Sequence, residues 1–304
     1  MRRLLAAVLL ASCACAGAPD WRRDSRLGAR ALAHGRHPEA EASLTAALAR
    51  AESFGPSDPR LADSLDALGD LRMAQGRPEK AEPLFRRALA IHEKALGPDA
   101  PETADAAAYL AEACAALGKT AEASKLLDRA LASAEKDTPQ RRADLAARLS
   151  SIAAAAGARG RDEDAAAAYK RALAATEKAL GPDHRLTADR VTDLALYYHA
   201  LGELRTAESY YARALSIKEK ALGGAHAETQ AALGDLALFY EAQERWNEAE
   251  ELDKRAIAAL ERAKREGPDL ATALGRYAHL LRRRGRAKEA VGLEARALAA
   301  GPRR

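Results

Sequence analysis

Residues 68–96 read LGDLRMAQGRPEKAEPLFRRALAIHEKAL, and residues 194–222 read LALYYHALGELRTAESYYARALSIKEKAL. In both stretches a small residue lies seven positions before a glycine, and an alanine lies five positions after it. Apolar residues then recur at helical spacing, which puts an apolar stripe on one face of the second helix. Each stretch therefore predicts two antiparallel helices joined by a short turn at Gly76 or Gly202.

The same pattern recurs in phase along nearly the whole chain. The turn position is occupied, every 41 or 42 residues, by Gly35, Gly76, Gly118, Gly160, Gly202, Glu244 and Gly285. Length alone would suggest about two globular domains, but a fixed period of this kind indicates a repeat array. The predicted units are 20–57, 58–98, 99–138, 139–182, 183–224, 225–266 and 267–300.

The composition supports an all-helical chain. Its 304 residues are 48% hydrophobic and 30% charged, but only 4% aromatic, and about a quarter of them are alanine. Alanine is the strongest helix former and is depleted in strands. A sheet protein is therefore excluded, and close helix packing through small residues is expected.

The pattern resembles the tetratricopeptide repeat (TPR). The residues that carry the resemblance are Leu68, Gly69, Gly76, Ala81, Phe85 and Ala88, together with Leu194, Ala195, Tyr198, Gly202, Ala207, Tyr211 and Ala214. The period of about 42 residues, and the linker KALGPD at 94–99 and 178–183, are similar to the kinesin-light-chain type of repeat. The resemblance implies an all-α, right-handed superhelical solenoid of about seven helix-turn-helix units over residues 20–304, with an inner face that binds a protein or peptide partner.

Inner-face residues can be assigned from the resemblance. In the kinesin-light-chain type, an asparagine just before the Leu-Ala pair grips the ligand backbone. That position here holds Ala67, Tyr109, Ser151, Asp193, Asp235 and Arg276, so the amide clamp is missing. The candidate partner-binding residues are Asp66, Asp70, Tyr109, Glu112, Asp189, Asp193, His199, Asp235, Glu241, Arg276, Arg282 and Arg283. The middle of this surface is acidic and its end is basic, and the alternative is that these residues form solvated helix faces.

The N-terminus has the pattern of an export signal. Arg2 and Arg3 precede an apolar run over 4–11, too short to span a membrane. The following Leu-Ala-Ser-Cys resembles the lipobox of bacterial lipoproteins. It implies a signal peptide over 1–12, a lipid on Cys13, a tether over 13–19 and a place in the cell envelope. The alternatives are cleavage after Ala16, or a misassigned start codon and a cytoplasmic adaptor.

No enzyme motif is found. The sequence lacks a phosphate-binding loop, a Gly-x-Ser-x-Gly elbow and a His-Glu-x-x-His helix. We therefore expect a non-enzymatic scaffold with no cofactor and no metal. The segment from 262 to 304 carries twelve Lys and Arg against four acidic residues, but it lacks interleaved aromatic residues, so the sequence does not favour a nucleic-acid partner. Cys114 is expected to be a small buried residue.

Overall fold

A computed structural model describes residues 20–134 and 138–301. These residues form fourteen α-helices, one 3-10 turn (Glu52–Phe54) and no strand, which confirms the predicted all-α class. The helices are α1 (Trp21–Ala33), α2 (His37–Ala51), α3 (Pro59–Ala74), α4 (Pro78–Leu96), α5 (Pro101–Ala116), α6 (Thr120–Ser133), α7 (Pro139–Gly157), α8 (Asp162–Leu180), α9 (Arg185–Ala200), α10 (Leu204–Leu222), α11 (Ala227–Ala242), α12 (Trp246–Arg262), α13 (Pro268–Arg283) and α14 (Ala287–Ala300). Each predicted unit contains one helix pair, so odd-numbered helices are first helices and even-numbered ones are second helices.

The helices are grouped in two compact units. The first unit contains the described residues up to Thr138 together with Ala154–Asp164, and the second contains Pro139–Ala153 and Ala165 onwards. Helix α7 thus contributes to both. Within each unit, a helix packs against its hairpin partner and against the first helix of the next pair, as expected for repeats that bury their apolar faces on their neighbours.

The turn inside each pair explains the recurring glycine. At Gly76 the backbone has a φ of 69°, and the Arg77 N–H closes the end of α3 by donating to the Arg72 carbonyl at 2.9 Å. This left-handed conformation is open to glycine without steric cost. Glu244 adopts it with a φ of 60° at the sixth turn, where a side chain costs about 1 kcal/mol.

The small residue seven positions before the turn makes room for a large one on the second helix. A Cβ on Gly69 would lie 2.5 Å from the ring of Phe85, and a Cβ on Gly28 would lie 2.5 Å from Leu44. Phe85 is 1% exposed, and its ring stacks on Tyr109 of the next pair, with centroids 5.6 Å apart. One large side chain therefore joins its own pair to the following one.

Polar residues in the loops set the helix starts. The Asp58 carboxylate accepts the Arg60 N–H at 2.9 Å, one residue after Pro59 begins α3. His184 and His226 have the same role at α9 and α11, where the imidazole Nδ1 accepts the N–H two residues on. Capping side chains satisfy amides that the first helical turn leaves unpaired. The repeated linker histidines therefore have a structural role.

Candidate partner-binding surface

In the first unit, the predicted surface residues Asp66 and Asp70 lie on α3, and Tyr109 and Glu112 lie on α5. Asp70, Tyr109 and Glu112 are partly exposed. Asp66 is largely covered because it points toward His92 of α4, whose Nε2 lies 3.5 Å from its Oδ2. His92 is 2% exposed, so this part of the surface includes a buried charged cluster that the sequence pattern did not predict.

The cluster consists of Asp63, Asp66 and His92, and the pKa of each is raised above its ordinary value. Burial raises the pKa of Asp63 and of Asp66. Burial lowers the pKa of His92, but the hydrogen bond and charge of Asp66 outweigh it, and the net pKa is raised. Glu102 and Asp105 of α5 add negative charge nearby. The folded unit therefore binds protons more tightly here than the unfolded chain does.

This cluster predicts a pH-dependent stability of the first unit. A raised folded-state pKa stabilises below the unfolded value, and that stability is lost as pH rises through the folded value. We expect hydrogen-exchange protection of residues 59–96 to fall as the pH rises above 6.5, the ordinary pKa of histidine, after correction for intrinsic exchange. A His92→Leu variant should show a flatter dependence, and an equally steep one would contradict the assignment to His92.

In the second unit, three predicted acidic residues lie on first helices: Asp189 and Asp193 on α9 and Asp235 on α11. Lys218 of α10 is 9% exposed and its Nζ lies 3.4 Å from Asp189, while Arg190 lies 3.2 Å from Asp193. Burial raises the pKa of Asp193 and Asp235, against the opposite pull of these cations. The acidic middle is thus partly compensated from within the fold.

Two leucines lie among these carboxylates. Leu196 on α9 and Leu238 on α11 occupy equivalent repeat positions, and each is 53% exposed. The equivalent positions in the second and third repeats hold Asp70 and Glu112. A surface that combines exposed leucine with half-buried carboxylates is suited to contact an apolar and basic polypeptide segment.

His199 is held inside an aromatic cluster. Its ring lies edge-on to Phe239 at 5.0 Å between centroids, and its Nδ1 lies 3.3 Å from the Tyr211 hydroxyl. Tyr198 and Tyr210 stack in parallel at 5.7 Å. His199 and these tyrosines therefore pack between helices.

The predicted basic end is paired internally. The guanidinium of Arg276 bonds to Asp253 of α12, Arg282 bonds to Glu294 of α14, and Arg283 lies over the ring of Trp246. The net charge of the segment therefore overstates the positive charge that remains for a partner. The pattern of the first helices does not predict this pairing, because these acidic partners lie on second helices.

Glu241 lies at the same end of the second unit and is 3% exposed. Its Oε2 is 3.8 Å from Arg283 and 4.0 Å from His279, and burial raises its pKa. Because Glu241 is buried, it contributes to the electrostatic potential of the surface rather than to direct contact with a partner.

Asp253, the buried partner of Arg276, is not indicated by the pattern of the first helices. It is fully buried, and it occupies the large-residue position of the second helix. The equivalent positions in the first five repeats hold Leu44, Phe85, Leu127, Tyr169 and Tyr211. An aspartate in that register was the available signal that a charged group enters the core here.

Several other expectations concern single features of the chain. Cys13, the predicted lipidation site, lies outside the described residues. Cys114 is buried, and burial raises the pKa of its thiol to about 11, which makes it a poor nucleophile at neutral pH.

Within 20–134 and 138–301, no cluster of three metal-ligating side chains is found. In the same residues, no helix combines the length and the apolar character needed to cross a bilayer.

Comparison with known proteins identifies the same repeat family that the helix pairs indicate. The model of the family described as Tetratricopeptide repeat matches residues 24–94, 67–136, 144–220 and 228–302. None of the curated proteins compared with the sequence matches it. The match covers most of the chain, including all of the stretch 68–96 and all but the last two residues of the stretch 194–222.

Solved structures with similar folds share little sequence. BtubC (BKLC) from P. vanneervenii is 19% identical, with 94% of this chain and 96% of that chain covered and a TM-score of 0.51. A signal transduction ATPase with a tetratricopeptide repeat sensor, from Pyrococcus horikoshii, is 17% identical, with 91% and 41% covered and a TM-score of 0.56. TPR-like repeats of a Podosopora anserina protein assigned as a kinesin light chain are 25% identical, with 68% and 98% covered and a TM-score of 0.49. Helix pairs, repeat register and family match agree, and the chain belongs to the tetratricopeptide repeat family.

Proposed function

We propose that this protein is a non-enzymatic scaffold that binds a partner polypeptide on the first-helix surface of its second unit. The observation that carries the proposal is the pair Leu196 and Leu238, both half-exposed at equivalent positions beside Asp193 and Asp235. The TPR fold is suited to protein binding in general. Exposed leucines at repeat spacing supply the apolar contact that such binding needs.

The charges on this surface select the chemistry of the partner. Asp193 and Asp235 favour a segment that carries lysine or arginine next to an apolar residue. Arg282 and Arg283 are half-exposed in spite of their internal partners, so an acidic residue or a free carboxylate would fit toward that end. Exposed ion pairs contribute only about 0.2–1 kcal/mol each, and we expect an affinity in the micromolar range or weaker, about −8 kcal/mol or less favourable.

The test of this surface is a charge reversal. In pull-downs from envelope extract, an Asp193→Lys, Asp235→Lys variant should lose the partners that the wild type captures, with the largest loss at low salt, where electrostatic steering is strongest. A Glu163→Lys, Glu203→Lys variant is the matched control, because both residues are exposed away from this surface, Glu163 on α8 and Glu203 at the N-cap of α10. If the set of captured partners and its salt dependence were unchanged, this surface would not be the binding site.

We also propose that the chain is exported and held at the cell envelope by lipid on Cys13. Support comes from the sequence alone: Arg2 and Arg3, the apolar run over 4–11, and Leu-Ala-Ser-Cys ending at Cys13. Anchoring would confine the binding surface to partners at or near a membrane. The alternative is a cytoplasmic TPR adaptor without an anchor.

Palmitate labelling separates the two alternatives. The wild type should incorporate radiolabelled palmitate and fractionate with membranes, and a Cys13→Ala variant should do neither. Cys15→Ala is the matched control and should behave as the wild type. Absence of label and of membrane association in the wild type would eliminate the anchor and favour the adaptor.

A further inference from the structure

A pocket of about 710 Å³ lies in the second unit between α10, α11 and α12. Its apolar wall includes Leu215, Leu236 and Leu252, which are almost fully buried. Glu219, Glu248, Glu251 and Arg255 are its charged lining residues. None of these residues belongs to the surface proposed above, so the pocket is a separate feature.

The first unit has corresponding residues 126 positions earlier in the chain, and we call this shared set of lining positions the frame. Leu89, Leu110 and Leu126 correspond to the three leucines, and Glu93, Glu122 and Arg129 correspond to Glu219, Glu248 and Arg255. The correspondence extends to contacts, since Arg129 lies 2.7 Å from Glu93 and Arg255 lies 2.7 Å from Glu219. The two sites are therefore directly comparable, position by position.

In the first unit an arginine occupies the frame. The Arg86 Nη2 donates to Glu82 at 2.8 Å and to Glu122 at 2.9 Å, which joins α4 to α6. Lys119 also donates to Glu82, at 2.7 Å. Two carboxylates thus face two cations.

In the second unit that arginine is replaced by Ala212. The remaining partners are retained, because Arg245 corresponds to Lys119 and donates to Glu208 at 2.6 Å and to Glu248 at 2.9 Å. Glu208 and Glu248 thus share Arg245 as an ion-pair partner. The position that Arg86 fills is thus left without a long side chain, and the pocket lies beside it.

A second replacement makes the pocket more acidic. Glu251 stands where the first unit has Lys125. Among the compared lining positions, the first unit has two carboxylates (Glu93, Glu122) and three cations (Arg86, Lys125, Arg129). The second unit has three carboxylates and one cation, Arg255. These positions have therefore changed from net positive to net negative. Arg245 and Lys254 bond to Glu248 and Glu251 and offset part of that charge, but the loss of the Arg86 and Lys125 side chains still favours a cationic occupant.

We propose that this pocket binds an arginine side chain of a partner polypeptide, flanked by an apolar residue. The guanidinium takes the place that Arg86 has in the first unit and donates to Glu248 and Glu208, while the neighbouring apolar residue lies against the leucine wall. Arginine suits this place better than lysine because its planar fork bonds carboxylates on two helices at once, as Arg86 does. The proposal is independent of the surface formed by Leu196 and Leu238.

The test uses acetyl-Leu-Arg-Leu-amide as the probe, titrated into the full chain and followed by NMR chemical shifts. We expect shifts clustered at residues 212–219 and 247–255. The isosteric citrulline peptide, which has no charge, should bind at least tenfold more weakly. Equal binding of the two peptides, or shifts elsewhere, would overturn the proposal.

Two variants make the test specific. Ala212→Arg should fill the pocket from within and weaken probe binding at least tenfold, whereas the matched control Ala212→Ser should leave it unchanged. Arg86→Ala combined with Lys125→Glu should create a second site in the first unit, with new shifts near Glu122. Undiminished binding by Ala212→Arg, in a chain that circular dichroism shows to be helical, or no new site in the double variant, would refute the inference. The Asp193→Lys, Asp235→Lys variant should bind the probe as the wild type does, which separates this site from the surface proposed above.

Discussion

Replacement of Phe85 by alanine is expected to destabilise the first unit by about 3–5 kcal/mol, the range for a fully buried phenylalanine. The ring fills the space that Gly69 leaves on α3, and it also stacks on Tyr109 of α5. Truncation therefore empties the interior of one pair and removes its contact with the next. Neither helix can close the gap, because α3 and α4 are already held at the distance that the ring requires.

The measurement is urea unfolding, with hydrogen exchange to assign the transition to the first unit. Repeat arrays can unfold in parts, so the exchange data are needed to locate the loss. Phe85→Leu is the control and should cost only about 1 kcal/mol, since Leu44 and Leu127 fill the same position in neighbouring repeats. If alanine cost no more than leucine, the filling of this space by a large side chain would not be what stabilises the two pairs.

The helix pairs could be predicted because the information was local and repeated. A turn such as Gly76 needs a positive φ, and Gly69 and Ala81 are small where helices approach closely. Each requirement leaves the same residue type at the same place in successive units. Seven imperfect copies of the repeat therefore define its period, even though one turn has Glu244 in place of glycine.

The candidate surface could be predicted only in part. The helical register identified Asp193 and Asp235, because exposure on a first helix follows from the repeat pattern alone. It did not reveal that Arg276 and Arg282 are bonded to Asp253 and Glu294. Which acidic side chain reaches which arginine depends on the packing of one pair against the next, and a period in the sequence does not contain that information.

The pair formed by Asp253 and Arg276 gives the second large expected effect. Asp253 is fully buried, and Arg276 is its hydrogen-bonded ion-pair partner. The arginine fits because Gly234 has no side chain, and a Cβ there would lie 2.4 Å from its Nη1. Removing one partner of a buried pair costs about 3–5 kcal/mol, because the other charge stays behind without compensation. We therefore expect Arg276→Ala to destabilise the second unit by that amount.

The dependence on pH distinguishes this cause from simple loss of packing. Burial, together with the charges of Glu241 and Glu250, raises the pKa of Asp253 to about 6 against the pull of Arg276. A raised folded-state pKa means that stability present below about pH 4 is lost as pH rises through about 6. Without Arg276 the pKa of Asp253 should rise further, because its ion-pair partner is gone. The cost of Arg276→Ala should therefore be larger at pH 8 than at pH 5.

A double variant tests whether the charge itself is the problem. Asp253→Tyr with Arg276→Ala restores the aromatic residue that Tyr211 provides at the equivalent position one repeat earlier, and Gly234 leaves room for the ring. Buried ion pairs can often be replaced by well-packed apolar residues without loss of stability. We expect the double variant to recover most of the stability that Arg276→Ala loses, and to do so equally at pH 5 and pH 8. Recovery of neither stability nor pH independence would show that Arg276 acts through contacts other than Asp253.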